Sequence, residues 1–155
     1  MMFAIYARVS TDDQNIDQQI KLLKDYAKSR GWNIRTYSDY AISGKIEERP
    51  QWQKMLKDLE KGGFDGILVS KYDRITRSLE YAIKFLNWFQ PRTLRLVSIY
   101  DGEFKNTPDD VFTFKLKCLL SEYELSQLAW RRAIGIERAK KEGKYKGRKK
   151  GSKNK

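Results

Sequence analysis

The sequence predicts an α/β fold, a mainly parallel sheet of four to five strands with helices on both faces, followed by one long C-terminal helix. Two observations predict the sheet. Short apolar runs rich in β-branched and aromatic residues alternate with segments whose apolar residues recur every three to four positions. The links between these segments are short, as they are when strands and helices alternate in one layer stack. A third observation sets the C-terminal part aside: after residue 108 strand signals stop and helical spacing continues to about residue 143.

Taken in order, residues 3–9 are an apolar run bounded by Ser10, Thr11, Asp12 and Asp13, a strand running into a helix start. Ile16, Ile20, Leu23, Tyr26 and Ala27 then fall at helical spacing, and Gly31 stops that helix. Residues 33–40 read as a second strand, and 41–49 as a polar loop containing Gly44. Pro50 suits a first helical position, with Trp52, Met55, Leu56 and Leu59 as the apolar face up to Gly62 and Gly63. A third strand covers 65–70, a helix about 79–89, and a fourth strand 94–100. No internal repeat is visible.

From Asp109 and Asp110, acids suited to a helix N-terminus, Phe112, Leu116, Leu119, Tyr123, Trp130, Ala133 and Ile136 keep near a three-to-four spacing. A helix of ~35 residues is ~50 Å long. That exceeds the small body from which it grows, so its distal apolar face needs a partner, another copy of the chain being the natural one. The competing arrangement is two shorter helices broken near Gly135, with Trp130 folded back. The expected organisation is an α/β domain over 1–108, a long oligomerisation helix over 109–143 and a basic arm over 144–155.

Composition limits the possibilities. A chain of 155 residues, 40% hydrophobic, suits one domain with a proper core. No apolar run approaches the ~20 residues of a membrane span, and the N-terminus runs into a strand without signal-peptide features. The single Cys118 offers no disulfide framework, which reads as a reducing cytoplasm. One cysteine and no histidine remove the usual zinc and haem sites. The net charge of +12 is uneven: residues 138–155 hold ten Lys or Arg and one Glu, or +9, leaving +3 for the rest. Arg138, Lys144, Lys146, Arg148, Lys149 and Lys150 are therefore candidate contacts to a polyanion, gaining affinity by counterion release, and they count toward DNA only together with the motifs that precede them. The plain alternative for such an arm is a solvated tail.

Three clusters carry the chemistry: Tyr6 to Thr11, Gln14 with Gln19, and Asp73-Arg74-Ile75-Thr76-Arg77. Ser10 follows the first strand at the sheet edge where ligands sit in parallel α/β folds; taken alone, it reads first as a helix cap. Asp73, Arg74 and Arg77 follow the third strand at the same edge. If that segment is helical, the two arginines face one way and can hold two non-bridging phosphate oxygens. Asp73 can orient a guanidinium or accept a proton; as a bland alternative, the set is a surface ion pair. Arg8, inside an apolar strand, must meet an anion or point into a cleft. One hydroxyl nucleophile ringed by arginines, without histidine, suits attack on a phosphodiester.

This combination resembles the catalytic domain of the serine recombinases, the resolvase and DNA invertase family. The resemblance runs from Phe3 to about Gly151 through Tyr6-Ala7-Arg8-Val9-Ser10-Thr11, Gln14, Gln19, Asp39, Ser43-Gly44, Arg49-Pro50 and Lys71-x-Asp73-Arg74-x-x-Arg77. Gly147 to Gly151 resembles the hinge leading out of the family's long helix.

The resemblance implies that Ser10 attacks a DNA phosphodiester to give a 5′-phosphoserine link and a free 3′-hydroxyl, and that strand exchange and rejoining follow without ATP, metal or cofactor. Arg8, Arg74 and Arg77 would hold the scissile phosphate. Tyr6, Gln14, Gln19, Asp39, Ser43, Arg49 and Lys71 would support them, and Asp73 would assist the leaving oxygen or position Arg74. Double-stranded DNA and the chain itself are the implied partners, as a dimer that joins into a tetramer. Phe112, Leu116, Leu119, Tyr123 and Trp130 would form the interface, in a DNA-associated cytoplasmic protein.

Two departures stand out. The family's usual Glu-Arg pair in the long helix is Glu124-Leu125 here, and a later charged pair keeps only Arg131, beside Trp130. The chain also ends nine residues after Lys146, before any helix-turn-helix domain that reads a crossover site. Two rivals remain: a DNA-binding dimer of recombinase descent that does not cut, and a nucleotide-binding α/β domain. The missing G-x-x-x-x-G-K-[ST] loop counts against the second.

Overall fold

A computed structural model of the chain describes residues 1–9, 16–40 and 49–144. β1 (Met2–Val9), α1 (Ile16–Ser29), β2 (Asn33–Tyr40), α2 (Pro50–Glu60) and β3 (Gly66–Val69) come first. A 3₁₀ turn (Tyr72–Arg74), α3 (Leu79–Phe89), β4 (Arg95–Ser98), β5 (Gly102–Phe104) and α4 (Pro108–Lys141) complete the order. The sheet runs β2-β1-β3-β4-β5, parallel except for β5, which returns antiparallel to β4. This short fifth strand lies beyond the fourth strand read from the sequence, within the range of four to five.

β1 is an inner strand, between β2 and β3, and longer than β3. It pairs with β2 along its whole length, from Met2↔Asn33 to Val9↔Tyr40, but with β3 only from Phe3↔Gly66 to Tyr6↔Val69. Its apolar run is explained by burial on both faces. Phe3, Ile5 and Ala7 pack with Ile16, Leu23 and Ala27 of α1. Ala4 and Tyr6 face a second core that includes Trp52 and Met55 of α2, Phe85 and Leu86 of α3, and Phe114 and Cys118 of α4. Gly66 is required where the strands meet, because a Cβ there would stand 2.4 Å from the Arg95 carbonyl oxygen and 2.7 Å from the Phe3 ring.

The helix ends are set by local chemistry. Ser78 caps α3 by accepting the Tyr81 N–H. At the start of α4, Thr107 Oγ1 accepts the Asp110 N–H at 3.1 Å and Asp110 Oδ2 accepts the Thr107 N–H at 3.2 Å, a reciprocal cap followed by Pro108. At its end Gly143, at φ 68°, closes the helix: its N–H reaches Lys140 O and the Lys144 N–H reaches Ala139 O. Between these caps α4 is continuous through Gly135, so the broken-helix alternative does not occur.

The chain divides into two compact units, Met1–Ser121 and Glu122–Lys155. The first includes the opening turns of α4, because Phe114 and Cys118 are fully buried in the core. In the second, Tyr123, Leu128 and Trp130 are exposed, Trp130 at 60%. No described helix is long and apolar enough to cross a membrane.

Candidate active site

Arg8 stands on β1 beyond its last pair with β3, so the strand ladder no longer supplies both neighbours. Side chains complete it: Gln19 Oε1 of α1 accepts the Arg8 N–H at 3.1 Å, and Arg74 Nη1 donates to the Arg8 carbonyl at 3.3 Å. The Arg8 guanidinium is buried, the whole residue being only 4% exposed. Its Nε and Nη2 have no hydrogen-bond partner among the described residues. Burial, and then the positive charges of Arg49, Arg77 and Arg74, push its pKa down to about 10. A buried cation facing three like charges suits an anion as its partner.

Asp39, paired in register with Arg8 across the β1–β2 ladder, explains how Arg49 is placed. Its carboxylate accepts the Tyr6 hydroxyl at 2.9 Å and the backbone N–H groups of Gln51 and Trp52, each at 3.0 Å. It therefore caps α2 from another element, since Arg49, the N-cap residue, provides no side-chain cap. Burial, with the neighbouring Asp39, pushes the Tyr6 phenol well up and keeps it a donor. Arg49, 1% exposed, then crosses to donate from Nη1 to Ile75 O at 2.8 Å. Its pKa too is lowered, by burial.

The condition under which Arg74 and Arg77 would share a helical face is not met in the Asp73–Arg77 segment. The segment is not a helix presenting both on one face. A 3₁₀ turn ends at Arg74, and α3 begins only at Leu79. Thr76, fully buried, holds the reversal between them by accepting the Ser78 N–H at 3.0 Å. The arginines instead converge through Asp73, whose Oδ1 lies 3.5 Å from Arg74 Nε and whose Oδ2 lies 3.5 Å from Arg77 Nη2. The Arg74 contact is an ion pair without hydrogen-bond geometry. Beside the turn, a cleft of ≈ 400 Å³ is lined by Gln19, Lys71 and Arg74 together with Gln18, Ser70 and Tyr100. Lys71 Nζ lies 5.5 Å over the Tyr100 ring.

Tyr6, Arg8, Gln19, Asp39, Arg49, Asp73, Arg74 and Arg77 thus form one connected set at the C-terminal end of β1, with Lys71 at its rim. Ser10, Gln14 and Ser43 lie outside the described residues, as do Lys146, Arg148, Lys149 and Lys150. Arg138 and Lys144 are exposed, Lys144 pairing with Glu142 at 2.8 Å. Phe112, Leu116 and Leu119 are exposed on the first unit's part of α4, and Tyr123 and Trp130 on the second's. Sequence reasoning missed Thr76, an ordinary threonine bonded two residues on to Ser78, and Asp101, a turn aspartate whose partners Tyr72 and Lys117 are distant in the chain.

A mainly parallel sheet thus gathers four guanidinium groups at the end of the strand that precedes Ser10 in the chain, a placement suited to an anionic group. Residues 3–145 match the family described as Resolvase, N terminal domain. The chain is 32% identical over 143 residues to the transposon Tn917 resolvase of Enterococcus faecalis, covering 92% of this chain and 73% of that protein. The N-terminal catalytic domain of TP901-1 integrase is similar in structure, with a TM-score of 0.64 at 31% identity, over 82% of this chain and 98% of that one. The C-terminal catalytic domain of ISC1926 TnpA, an IS607-like serine recombinase, gives a TM-score of 0.55 at 27% identity, over 73% and 76%. The chain belongs to the resolvase family and is a serine site-specific recombinase catalytic domain.

Proposed function

We propose that Ser10 is the nucleophile, and that Arg8, Arg74 and Arg77 hold the scissile phosphate of double-stranded DNA. The observation that carries this reading is Arg8: a buried guanidinium with two unpaired nitrogens, crowded by other arginines, immediately before Val9 and Ser10 in the chain. Ser10 Oγ forms a bond to phosphorus as the bond to the 3′-oxygen breaks, and the serine proton ends on that oxygen as a free 3′-hydroxyl. The phosphodiester is kept as 5′-phosphoserine, so attack by an exchanged 3′-hydroxyl reverses the step without an external energy source. Negative charge grows on the phosphoryl oxygens in the transition state, where fixed guanidinium groups act most strongly.

Asp73 serves as the orienting anion for Arg74 and Arg77, which its contacts to both support. Asp39 and Arg49 act one step back, by tying α2 to the turn that bears the arginines. Gln19 fixes the Arg8 backbone; Gln14, Ser43 and Lys71 complete the supporting set.

We assign residues 1–108 to catalysis, 109–143 to a self-association helix that builds a dimer and then a tetramer, and 144–155 to a basic arm on DNA. This suits a protein working on the cytoplasmic DNA of its own genetic element. The test is covalent trapping with DNA from the borders of that element, resolved on a denaturing gel beside Ser10→Ala. An adduct lost in the variant is expected. An adduct that persists assigns the nucleophile elsewhere, and salt-sensitive binding without any adduct returns the non-cutting dimer.

A further inference from the structure

The 3₁₀ turn that carries Asp73 and Arg74 has no cap of its own, since Lys71 at its N-cap makes no capping hydrogen bond. Its first N–H, on Tyr72, is taken by Oδ2 of Asp101 at 2.7 Å, across the sheet edge from the β4–β5 connection. The Ser98 hydroxyl lies 2.7 Å from the same oxygen, and the Asp101 N–H returns to Ser98 Oγ at 3.1 Å. Oδ1 receives the Lys117 ammonium of α4 at 2.5 Å. The Asp101 side chain is only 10% exposed, so water does little to replace a lost partner. These donors outweigh burial and hold its carboxyl below the usual range.

The same helix braces the turn a second time. Lys117 Nζ stands 5.7 Å over the Tyr72 ring, and Phe114 meets that ring at 5.0 Å between centroids. The Tyr72 hydroxyl donates to Gly102 O at 3.2 Å. The turn is therefore gripped at its first N–H and at its first side chain, and α4 contributes to both grips.

We infer that Asp101 and Lys117 are positioning residues for Arg74: the Lys117–Asp101–Tyr72 N–H clamp fixes the turn from which Arg74 reaches the reaction. This rests on the recombinase reading of Arg74. Neither residue touches the phosphate site; both act through the backbone of the turn. Lys117 also shares its helical turn with exposed Leu116 and Leu119. The surface proposed for self-association and the clamp are therefore two faces of one short piece of helix.

The test uses the full chain as Lys117→Met, Lys117→Arg and Cys118→Ala, with two readouts: hydrogen exchange at the Tyr72 amide, and the single-turnover rate of adduct formation on the element's border DNA. Lys117→Met should speed Tyr72 exchange and slow the adduct, each by about tenfold, the equivalent of one charged hydrogen bond. Lys117→Arg should restore both. Cys118→Ala, which loosens the same helix in the core, should leave the ratio of adduct rate to folded fraction unchanged. The inference is overturned if Lys117→Met leaves Tyr72 exchange or the adduct rate of an active protein unaltered, or if Cys118→Ala slows the adduct equally. If the parent chain forms no adduct dependent on Ser10, the recombinase reading fails by itself, and the exchange measurement still decides whether the clamp exists.

Discussion

The guanidinium of Arg8 is buried with Nε and Nη2 unpaired among the described residues, and burial with three neighbouring arginines brings its pKa down to about 10. A base whose pKa is lower folded than unfolded costs stability wherever it remains charged in the folded state. Here that cost is in full force below about 10 and fades only as the pH rises from there toward the ordinary arginine value. At neutral pH the fold therefore carries the charge at its own expense, as functional sites commonly do. Arg8→Met keeps the length and removes the charge, and should raise the unfolding free energy by about 1–3 kcal/mol in urea titration while abolishing the covalent adduct. Added inorganic phosphate supplies the missing anion, so it should raise the melting temperature of the parent chain and have little effect on Arg8→Met. A variant less stable than the parent would mean that Arg8 already has its partner in the protein.

Among the elements, α2 shows most directly how the site depends on packing. Asp39 accepts two N–H groups of its first turn and the buried Tyr6 hydroxyl. Asp39→Ala should therefore cost about 2–4 kcal/mol, combining a lost cap with a stranded hydroxyl, read as a lower urea midpoint at unchanged slope. Gly66→Ala should also destabilise β3 by about 1–3 kcal/mol, since its Cβ would meet backbone at 2.4 Å; an unchanged midpoint would mean that the strands separate easily. Asp39 entered beforehand only through the family resemblance, and Gly66 carried no signal beyond its place in the third strand. The four parallel strands, the Pro50 start of α2 and the span of α4 follow from local periodicity and punctuation, which a sequence displays. Arg8 was legible too, because a charge inside an apolar strand conflicts with its surroundings. The 3₁₀ turn was not: Arg74-x-x-Arg77 has helical spacing, and the reversal depends on Thr76 binding Ser78 and on Asp101 binding Tyr72 from 29 residues away in the chain. β5 is three residues long and takes its identity from pairing with β4 rather than from its own pattern.

For the whole molecule, charge and apolar surface are distributed along the chain to different ends. Ten of the 32 Lys and Arg lie in residues 138–155. Changing Lys144, Lys146, Arg148, Lys149 and Lys150 to Gln should therefore weaken DNA binding at all sequences alike. It should also flatten the salt dependence, by about 0.9 in slope for each phosphate that is no longer neutralised. The self-association proposed above would draw instead on α4. Exposed Phe112, Leu116 and Leu119 follow a three-to-four spacing on the first unit's part of the helix, and exposed Tyr123 and Trp130 lie seven apart on the second's, so each set shares a face of its own part. Beyond Ser121 the described residues of the second unit are the end of α4 and the turn that closes it. Among its described residues this single helix has no second layer against which to bury a tryptophan and a tyrosine, so a second copy offers the most direct cover. Association should then contribute to stability by mass action, and the melting temperature should climb with protein concentration. Trp130→Ala removes the largest side chain of the two sets, and Leu119→Glu places a charge within the first; each should shift sedimentation mass toward the monomer and flatten that concentration dependence. Because Trp130 and Leu119 lie on opposite sides of the Ser121 boundary, loss of dimer in both variants would mean one continuous seam along α4. Loss only in Leu119→Glu would confine the interface to the first unit and release Trp130 for another role, while a parent chain that stays monomeric at every concentration would remove self-association through this helix altogether.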